Sequence, residues 1–384
     1  MIFVSNNEKL NIIFFLCLKC LNLRLVQYLM KTKEDIINFL LETEIPGDLE
    51  PQKESQIVSK IFKYCWDLTP ENLYRYRACN ENNFKTLQQD KFLLTKPTLF
   101  NDPYDSLLFI NRSKIIADLT TEHEYDVVEK LQNDVQFKEE QIQLLGKDFV
   151  DRYASLMPFK NSKEKETHKK VSDNIYTHLV DQLIDESLKS MKQSSLVACL
   201  SEDFESILMW SHYADNHKGF VLNYDFKSRY SIETKIPGIK ATEFADKKLF
   251  PVRYSDERFD ATYYVTFNFI YNYLKSIGQK LKIPFFDKLF YYKILLFKSS
   301  DWAYEKEWRI ISQTNNNYND NKPDISFIND IQPTEILLGS KIEEGNRDTL
   351  LRIAEEKKIS VFQMELEPFE IEYKLTKTAL KTVY

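Results

Sequence analysis

Glycine is scarce in this chain. The 384 residues include 7 glycines, whereas an average usage near 7% would give about 27. Glycine-rich loops bring backbone amides close to phosphate groups, and none is present. The sequence contains neither G-x-x-x-x-G-K-[ST] nor G-x-G-x-x-G. These absences argue against a P-loop nucleotide hydrolase and against a dinucleotide-binding domain of the Rossmann type.

The chain also lacks a surplus of positive charge. Its 52 Lys and Arg residues face 58 Asp and Glu residues, which leaves a formal net charge of −6 at pH 7. Nucleic-acid-binding domains usually show a basic bias. We therefore predict no strong nucleic-acid footprint.

Cysteine and histidine are too few and too scattered to indicate a disulfide framework or a metal centre. The 5 cysteines are an odd number, which predicts reduced thiols in a cytoplasmic protein. Cys17 and Cys20 form a C-x-x-C pair that lacks the second half of a zinc site. His212 and His217 are the one near pair of histidines, and their spacing fits no standard zinc loop. We expect no metal.

The longest apolar run, residues 11–30, is interrupted by polar side chains. Lys19 and Arg24 break it before the roughly 20 residues that a membrane span requires. We predict no membrane association and expect residues 1–29 to be a non-native or disordered extension before a true start at Met30. A peripheral membrane anchor is the alternative interpretation.

The patterning predicts an α+β fold with a mixed, mostly antiparallel sheet flanked by helices and a large helical insertion. The predicted segments are N-terminal helices over 30–70, a first half of the α+β domain over 71–112, the insertion over 113–194, and the second half over 195–384. Strands are predicted at 73–77, 92–95, 196–200, 220–224, 251–254, 302–312, 335–338 and near Val361 and Ile371. Helices are predicted at 80–89, 204–215, 259–299 (a pair) and 343–356.

The strand predicted at 302–312 carries charged residues at alternating positions. Side chains alternate between the two faces of a strand, so Glu305, Glu307 and Arg309 share one face and Tyr304 and Trp308 lie on the other. A carboxylate held in this way can bind a sugar hydroxyl or act as a base. An inter-strand ion lattice is the structural alternative.

Arg75 and Arg77 share one face of the strand predicted at 73–77. Two guanidinium groups on a strand suit a pyrophosphate or a carboxylate. Pairing with Glu305 and Glu307 on a neighbouring strand is the structural alternative, and the two are compatible. We predict that Arg75, Glu305, Glu307 and Arg309 converge.

The segment Phe100-Asn101-Asp102-Pro103-Tyr104-Asp105 predicts a turn. Its polar side chains, Asn101, Asp102 and Asp105, either cap this turn or line the rim of a pocket.

The helix predicted at 204–215 carries an aromatic line beside its core stripe. The stripe consists of Phe204, Ile207, Leu208, Ser211 and Ala214. Trp210, Tyr213 and His217 follow at i, i+3 and i+7, and Gly219 is the predicted helix stop. The aromatic line either stacks on a flat ring or packs on a neighbouring helix.

These motifs, taken in order, resemble a bacterial family known as domain of unknown function 2971, to which some abortive-infection proteins of the AbiGi type are similar. The motifs are residues 73–76, 100–105, 209–214, 219–221 and 304–309. The resemblance implies no established activity. The layout is similar, however, to ADP-ribosyltransferases of the R-S-E and H-Y-E type, which bind NAD without a Rossmann fingerprint.

The similarity to ADP-ribosyltransferases implies roles for particular residues. Glu307 matches the late catalytic glutamate, Glu305 the residue two positions before it, and Arg75 the early basic anchor. The middle Ser-Thr-Ser string is missing here, so its role is unassigned. The expected substrate-binding set is Arg75, Arg77, Asn101, Asp102, Asp105, Trp210, His212, Tyr213, His217 and Arg309.

Three functions follow as hypotheses. The first is an NAD-consuming transferase or glycohydrolase, a toxin or phage-defence effector whose macromolecular or small-molecule acceptor is unknown. The second is a nuclease whose carboxylates, Asp102, Asp105, Glu305 and Glu307, bind Mg²⁺, although no catalytic lysine follows at the usual spacing. The third is a sensor or interaction module without activity, in which the charged strands are structural.

Overall fold

The computed structural model of the chain describes part of its length. The described residues are 32–47, 49–119, 162–227, 231–233, 240–242, 249–267, 287–313, 325–329 and 331–381. The predicted N-terminal extension with Cys17 and Cys20 lies outside these residues. So do most of the predicted helical pair over 259–299 and the loop over 315–321.

Several of the described helices begin behind a capping side chain. The described helices are α1 Lys33–Glu42, α2 Pro51–Leu68, α3 Glu81–Gln88, α4 Arg112–Leu119, α5 Ser162–Gln193, α6 Ile207–Tyr213, α7 Phe290–Ile294 and α8 Glu344–Lys357. Thr32 and Asp35 form a capping box before α1, and the Asn80 and Ser206 side chains cap α3 and α6. Such side chains satisfy amide groups that have no partner within the helix. Within the described ranges, 3-10 helices cover Pro97–Leu99 and Ser300–Glu305.

Most strands lie in one mixed sheet. The strands are β1 Leu73–Arg77, β2 Phe92–Thr95, β3 Ser195–Ser201, β4 Phe220–Tyr224, β5 Ser231–Glu233, β6 Lys240–Thr242, β7 Leu249–Pro251, β8 Arg253–Ser255, β9 Phe297–Ser299, β10 Glu307–Gln313, β11 Ile325–Ile328, β12 Glu335–Leu338, β13 Ser360–Leu366 and β14 Leu375–Lys381. The main sheet has the order β11-β2-β3-β1-β4-β12-β13-β14, and β10 pairs with β3 and β7. Its pairs are antiparallel except β12–β13. The predicted α+β class with a mostly antiparallel sheet is confirmed.

The two faces of this sheet carry different cores. On one face, Leu222 and Trp308 pack with Leu350 and Ile353 of α8. On the other face, Val197 and Ile311 pack with residues of α1 and α2, and Tyr76 packs with Trp210 of α6. The charged residues of β10 lie on this second face, between the two groups of helices.

The chain divides into two compact units. Among the described residues, the smaller unit contains 108–119, 162–189 and 260–267, and the larger unit contains the remainder. The described residues of the predicted insertion, 113–194, are mainly helical, in α4 and α5. The proposed domain bounds remain predictions.

Several element bounds differ from the predictions. The strand predicted at 302–312 begins at Glu307, because residues Ser300–Glu305 form a 3-10 helix and Lys306 takes a left-handed conformation with φ 46°. The segment 251–254 contributes to two short strands, β7 and β8, in different sheets. The last strand starts at Leu375, whereas Ile371 lies in an exposed bend.

The buried stripe of α6 also differs from the prediction. Met209, Trp210 and Ala214 are buried, whereas Ile207 and Leu208 are exposed. The helix begins at Ile207 behind its Ser206 cap and ends through left-handed residues 215–217. The helix therefore stops before Gly219, the predicted stop, which is required instead by close packing, since a Cβ there would lie 2.2 Å from the Arg77 carbonyl oxygen.

None of the helices that the structure describes combines the length and apolar character that crossing a membrane demands.

Candidate functional site

The core of the candidate site is formed where the second 3-10 helix meets β10. Glu305 ends the 3-10 helix, and Glu307 opens the strand. The left-handed Lys306 between them turns the chain, while the Ser201 hydroxyl donates a 2.6 Å hydrogen bond to the Glu305 carbonyl. Strand alternation was therefore the wrong reason for grouping the two carboxylates, but the structure does bring them together.

A buried lysine joins the two carboxylates. The Lys298 ammonium on β9 bonds to Oε2 of Glu305 and lies 2.9 Å from Oε2 of Glu307 and 3.5 Å from Oδ2 of Asp105. Arg309 binds two of these carboxylates, those of Glu307 and Asp105. Its Nε lies 2.8 Å from Glu307 Oε1, and its Nη2 lies 2.6 Å from Asp105 Oδ2. These five residues, the carboxylate–lysine cluster, are each 7% exposed or less.

The cluster shifts the protonation of its two glutamates in opposite directions. Burial is the largest effect on Glu305, and it raises the pKa of that carboxyl to about 7 although Lys298 opposes it. Burial acts in the same direction on Glu307, but Arg309 and Lys298 outweigh it and hold the pKa of Glu307 below its usual range. One carboxylate is thus poised near neutral pH, and the other stays ionised.

Tyr213 of α6 completes the surroundings of Glu305. Its hydroxyl donates a 2.6 Å hydrogen bond to Glu305 Oε1, and Asn101 Nδ2 donates a 3.2 Å bond to the same hydroxyl. Burial and the neighbouring Glu305 raise the pKa of Tyr213, so its hydroxyl remains a donor. Both oxygens of Glu305 are therefore bonded, one to Tyr213 and the other to Lys298.

An aromatic group lies next to these bonds. His212 Nδ1 is 3.0 Å from the Tyr304 hydroxyl, and the Trp302 ring contacts both residues. The Lys298 ammonium lies 5.3 Å from the centre of the Trp302 ring. Trp302 therefore connects His212 and Tyr304 with the carboxylate–lysine cluster.

A cavity of about 380 Å³ opens beside Lys298. Its lining residues are Asp102, Tyr104, Leu107, Ser255, Asp256, Glu257, Arg258, Phe297, Lys298, Ser299, Asp301 and Trp302. Lys298 and Trp302 thus belong both to this cavity and to the surroundings of the paired glutamates. A small molecule in the cavity would lie against the cluster.

The structure groups most, but not all, of the predicted site residues. Those at the cluster, its surroundings or the cavity are Asn101, Asp102, Asp105, His212, Tyr213, Glu305, Glu307 and Arg309. Asp102 also caps the predicted turn, since its Oδ1 accepts the Tyr104 amide at 2.8 Å. Asp102 thus both caps the turn and lines the cavity, and its role in binding stays a prediction.

Arg75 and Arg77 do not join this group, contrary to the predicted convergence. Residues paired directly across strands lie on the same face, and Arg75 pairs with Leu222, a core residue of the α8 face. Glu307 and Arg309 pair with Ser201 and Cys199 on the opposite face. The Arg75 guanidinium lies 4.2 Å from the Phe92 ring centre and donates to the Leu93 carbonyl at 2.5 Å.

Trp210 and His217 follow the packing interpretation. Trp210 is 0% exposed, and its indole N–H donates a 2.7 Å hydrogen bond to the Phe204 carbonyl. Its ring stacks on His217 at 6.2 Å and contacts Tyr76 edge-on. Trp210 and His217 therefore pack within the fold, and a ligand ring has no access to Trp210.

Lys298 is the residue of the carboxylate–lysine cluster that was not predicted from the sequence, and the neighbouring Trp302 and Tyr304 were not predicted as site residues either. Lys298 lies in β9, within a segment predicted to be helical. The signal was a single cation after an apolar run, Ile294-Leu295-Leu296-Phe297, followed shortly by two glutamates. Such a buried cation needs carboxylate partners.

Among the residues that the structure describes, no group of three or more His, Cys, Asp or Glu side chains is arranged to hold a metal ion. Asp105, Glu305 and Glu307 do converge, but they converge on the Lys298 ammonium. The cation that these three carboxylates surround is therefore the Lys298 side chain.

Comparison with known proteins gives a match to the part of the chain that contains most of α6, β9 and the start of β10. No curated protein and no solved structure matches the chain. Residues 209–310 match the model of a family described as protein of unknown function (DUF2971). This range includes the motifs at 209–214, 219–221 and 304–309, but not those at 73–76 and 100–105. The match supports the resemblance to the family of unknown function DUF2971.

Proposed function

We propose that this protein is an enzyme that consumes NAD, as an ADP-ribosyltransferase or an NAD glycohydrolase, with Glu305 and Glu307 as its working carboxylates. One observation carries the proposal. Two carboxylates bonded to the same lysine have pKa values shifted apart, that of Glu305 to about 7 and that of Glu307 below its usual range. Paired carboxylates with separated pKa values are typical of acid–base chemistry at glycosidic bonds.

Glu307 suits the stabilisation of positive charge. It stays ionised at neutral pH because Arg309 and Lys298 favour its charged form. When the bond between the ribose C1′ and nicotinamide breaks, the electron pair leaves with nicotinamide, and positive charge develops on the ribose. An ionised carboxylate beside that charge stabilises the transition state more than the ground state.

Glu305 suits proton transfer. A carboxyl with a pKa of about 7 exchanges its proton readily near neutral pH. In its ionised form it would accept the proton of the attacking acceptor, water or a second substrate, as the new bond to C1′ forms. The proposal gives no role to Arg75 or Arg77, which lie on the other face of the sheet.

A role in phage defence or as a toxin belongs to the same proposal, and the resemblance of the sequence motifs to abortive-infection proteins is its support.

Nicotinamide release from NAD tests the proposal. We expect release that persists in EDTA, and a loss of roughly 10²–10³ in rate for Glu307→Gln, the size seen for single electrostatic stabilisers. Glu305→Gln should also lose activity. The matched control is Glu335→Gln, which removes a strand carboxylate that pairs with Lys377 on β14. Full turnover in a folded Glu307→Gln protein would overturn the proposal.

A metal-dependent nuclease is the second candidate, and one observation favours it. Asp105 joins Glu305 and Glu307 around Lys298, so three carboxylates and a lysine share one buried site, in which Mg²⁺ would have to displace the Lys298 ammonium. Cleavage of nucleic acid that requires Mg²⁺ and stops in EDTA would select this candidate. Nicotinamide release that survives EDTA selects the first one.

A further inference from the structure

The cavity beside Lys298 carries more negative than positive side chains. Four carboxylates line it, those of Asp102, Asp256, Glu257 and Asp301, together with two cationic side chains, Arg258 and Lys298. Three further carboxylates and Arg309 lie behind Lys298 in the cluster. Closely spaced charges of one sign in a concave site favour a ligand of the opposite sign.

Lys298 does not offset this excess. Its ammonium is engaged with Asp105, Glu305 and Glu307 on the side of the cluster. Arg258 is exposed, and its guanidinium lies 5.9 Å from the Tyr104 ring centre. Lys192 is a further nearby cation, but its ammonium donates to the Pro103 carbonyl at 2.8 Å.

Asp102 lines the cavity and has a buried acceptor oxygen. Its side chain is among the buried groups of the chain, at 6% exposure. Oδ1 accepts the Tyr104 amide at 2.8 Å, whereas the buried Oδ2 has no hydrogen-bond partner among the described residues. A buried carboxylate oxygen without a donor is costly, and native structures usually supply one. A ligand that donates a hydrogen bond would satisfy it.

We infer that the cavity binds a ligand with a cationic hydrogen-bond donor, a primary ammonium or a guanidinium group, and that Asp102 is its buried acceptor. Tyr104, Phe297 and Trp302 line the same cavity and would contact the apolar part of the ligand. The inference goes beyond the proposed function, because it assigns a ligand class to the cavity whether or not the carboxylates catalyse a reaction.

Calorimetric titration of the full chain with small probes tests this inference. The cationic probes are n-butylammonium and n-butylguanidinium, and the neutral and anionic counterparts are 1-butanol and butyrate. We expect both cations to bind at least tenfold more tightly than butanol or butyrate, and their binding to weaken as salt is added. Tighter binding of butyrate or of inorganic phosphate would overturn the inference.

Two variants locate the binding. Asp102→Asn keeps Oδ1 as acceptor for the Tyr104 amide but removes the negative charge, and we expect at least a tenfold loss of cation affinity. Glu257→Gln changes an exposed lining residue and should lower cation affinity about two- to threefold. This variant still tests the site if Asp102→Asn does not fold. Glu335→Gln is the control and should bind as the wild type does. Unchanged cation affinity in either cavity variant would contradict the inference.

The titration uses no NAD and reads no turnover. If the wild-type protein binds no cation, the proposal for Glu305 and Glu307 is unaffected. If it releases no nicotinamide, the inferred cation site is unaffected.

Discussion

Arg75 and Arg309 are both buried arginines on strands of the same sheet, yet their surroundings differ completely. Arg309 is paired with Asp105 and Glu307 and donates to the Leu295 carbonyl at 2.7 Å. Burial alone would lower its pKa, but the two carboxylates raise it well above the usual value. Arg75 has no ion pair among the described residues; burial and the neighbouring Arg77 lower its pKa.

The difference shows that a charged residue in a strand acquires its role from the face it occupies. On the face of Arg309, loops and β9 deliver carboxylates and a lysine, and a charged cluster forms. On the face of Arg75, the neighbours are Phe92, Leu222 and other apolar residues, so its guanidinium is held by an aromatic ring and one carbonyl. The first arrangement offers groups for chemistry, and the second serves packing.

The largest expected effect that tests this comparison is loss of the Arg309 charge. Arg309→Met removes the partner of Asp105 and Glu307 and leaves their charges buried beside Lys298 alone. Breaking one side of a buried ion pair typically costs about 3–5 kcal/mol. We expect a fall of that size in the free energy of unfolding, measured by urea denaturation at pH 7.

Arg75→Met is the matched substitution on the other face. It removes a charge that has no carboxylate partner among the described residues and one hydrogen bond to the Leu93 carbonyl. The lost bond, worth about 0.5–1.5 kcal/mol, is offset by relief of an uncompensated buried charge. We expect stability within about 1.5 kcal/mol of the wild type. Equal losses in the two variants would show that the faces do not differ as described.

Strands with strong local patterns were predictable from the sequence. The bounds of β1, β2, β4 and β12 agree with the prediction, because runs such as Phe220–Tyr224 combine β-branched and aromatic residues with clear turn signals at their ends. The start of β10 was not predictable. Its left-handed residue is Lys306, a residue type that carries no turn signal, and it is held by tertiary contacts such as the Glu202 amide bonded to its carbonyl at 3.2 Å.

The candidate site was predictable in its residues more than in its geometry. Spacing two apart placed Glu307 and Arg309 on one face, and the structure pairs them at 2.8 Å. The same rule could not say that Arg75 faces the opposite way, because alternation relates residues within one strand, whereas the faces of β1 and β10 are related only through their pairing with β3. Asp105 and Lys298 reach the cluster from a loop and from a short strand, so their proximity depends on the tertiary fold.

The two glutamates of the cluster should make stability depend on pH in opposite ways. The folded-state pKa of Glu305 is raised to about 7, so the folded chain binds its proton more tightly than the unfolded chain does. The contribution of Glu305 is therefore most favourable below the unfolded pKa and declines as pH rises towards 7. The shift corresponds to up to about 3 kcal/mol.

Glu305→Gln removes this dependence. We expect the stability of the variant, relative to the wild type, to improve from pH 5 to pH 8. Glu307→Gln should show the opposite trend in a lower pH range. The pKa of Glu307 is lowered from its usual 4.5, so its contribution is full above that pH and is lost as pH falls through the folded value. Relative to the wild type, this variant should therefore gain stability as pH falls below 4.5 and stay level from pH 5 to pH 8. Denaturation curves over both ranges separate the two, and a gain for Glu307→Gln from pH 5 to pH 8 like that of Glu305→Gln would contradict the opposite shifts.

The smallest expected effect belongs to Tyr213. Its hydroxyl donates a 2.6 Å hydrogen bond to Glu305 Oε1, which favours the ionised carboxylate. Tyr213→Phe keeps the ring and removes this donor, so the pKa of Glu305 should rise further, by up to about one unit, or roughly 1.4 kcal/mol. The stability difference between a protein with Glu305 and its Glu305→Gln counterpart falls as pH rises and levels off once pH exceeds the folded-state pKa of Glu305. When both members of the pair carry Tyr213→Phe, the pH at which the difference levels off should move upward by the same amount. Ile207→Ala, on the exposed side of the same helix, should leave that pH unchanged. A levelling-off pH that stays in place in Tyr213→Phe would mean that Lys298 and burial alone set the protonation of Glu305, and that Tyr213 serves only to pack α6 against the cluster.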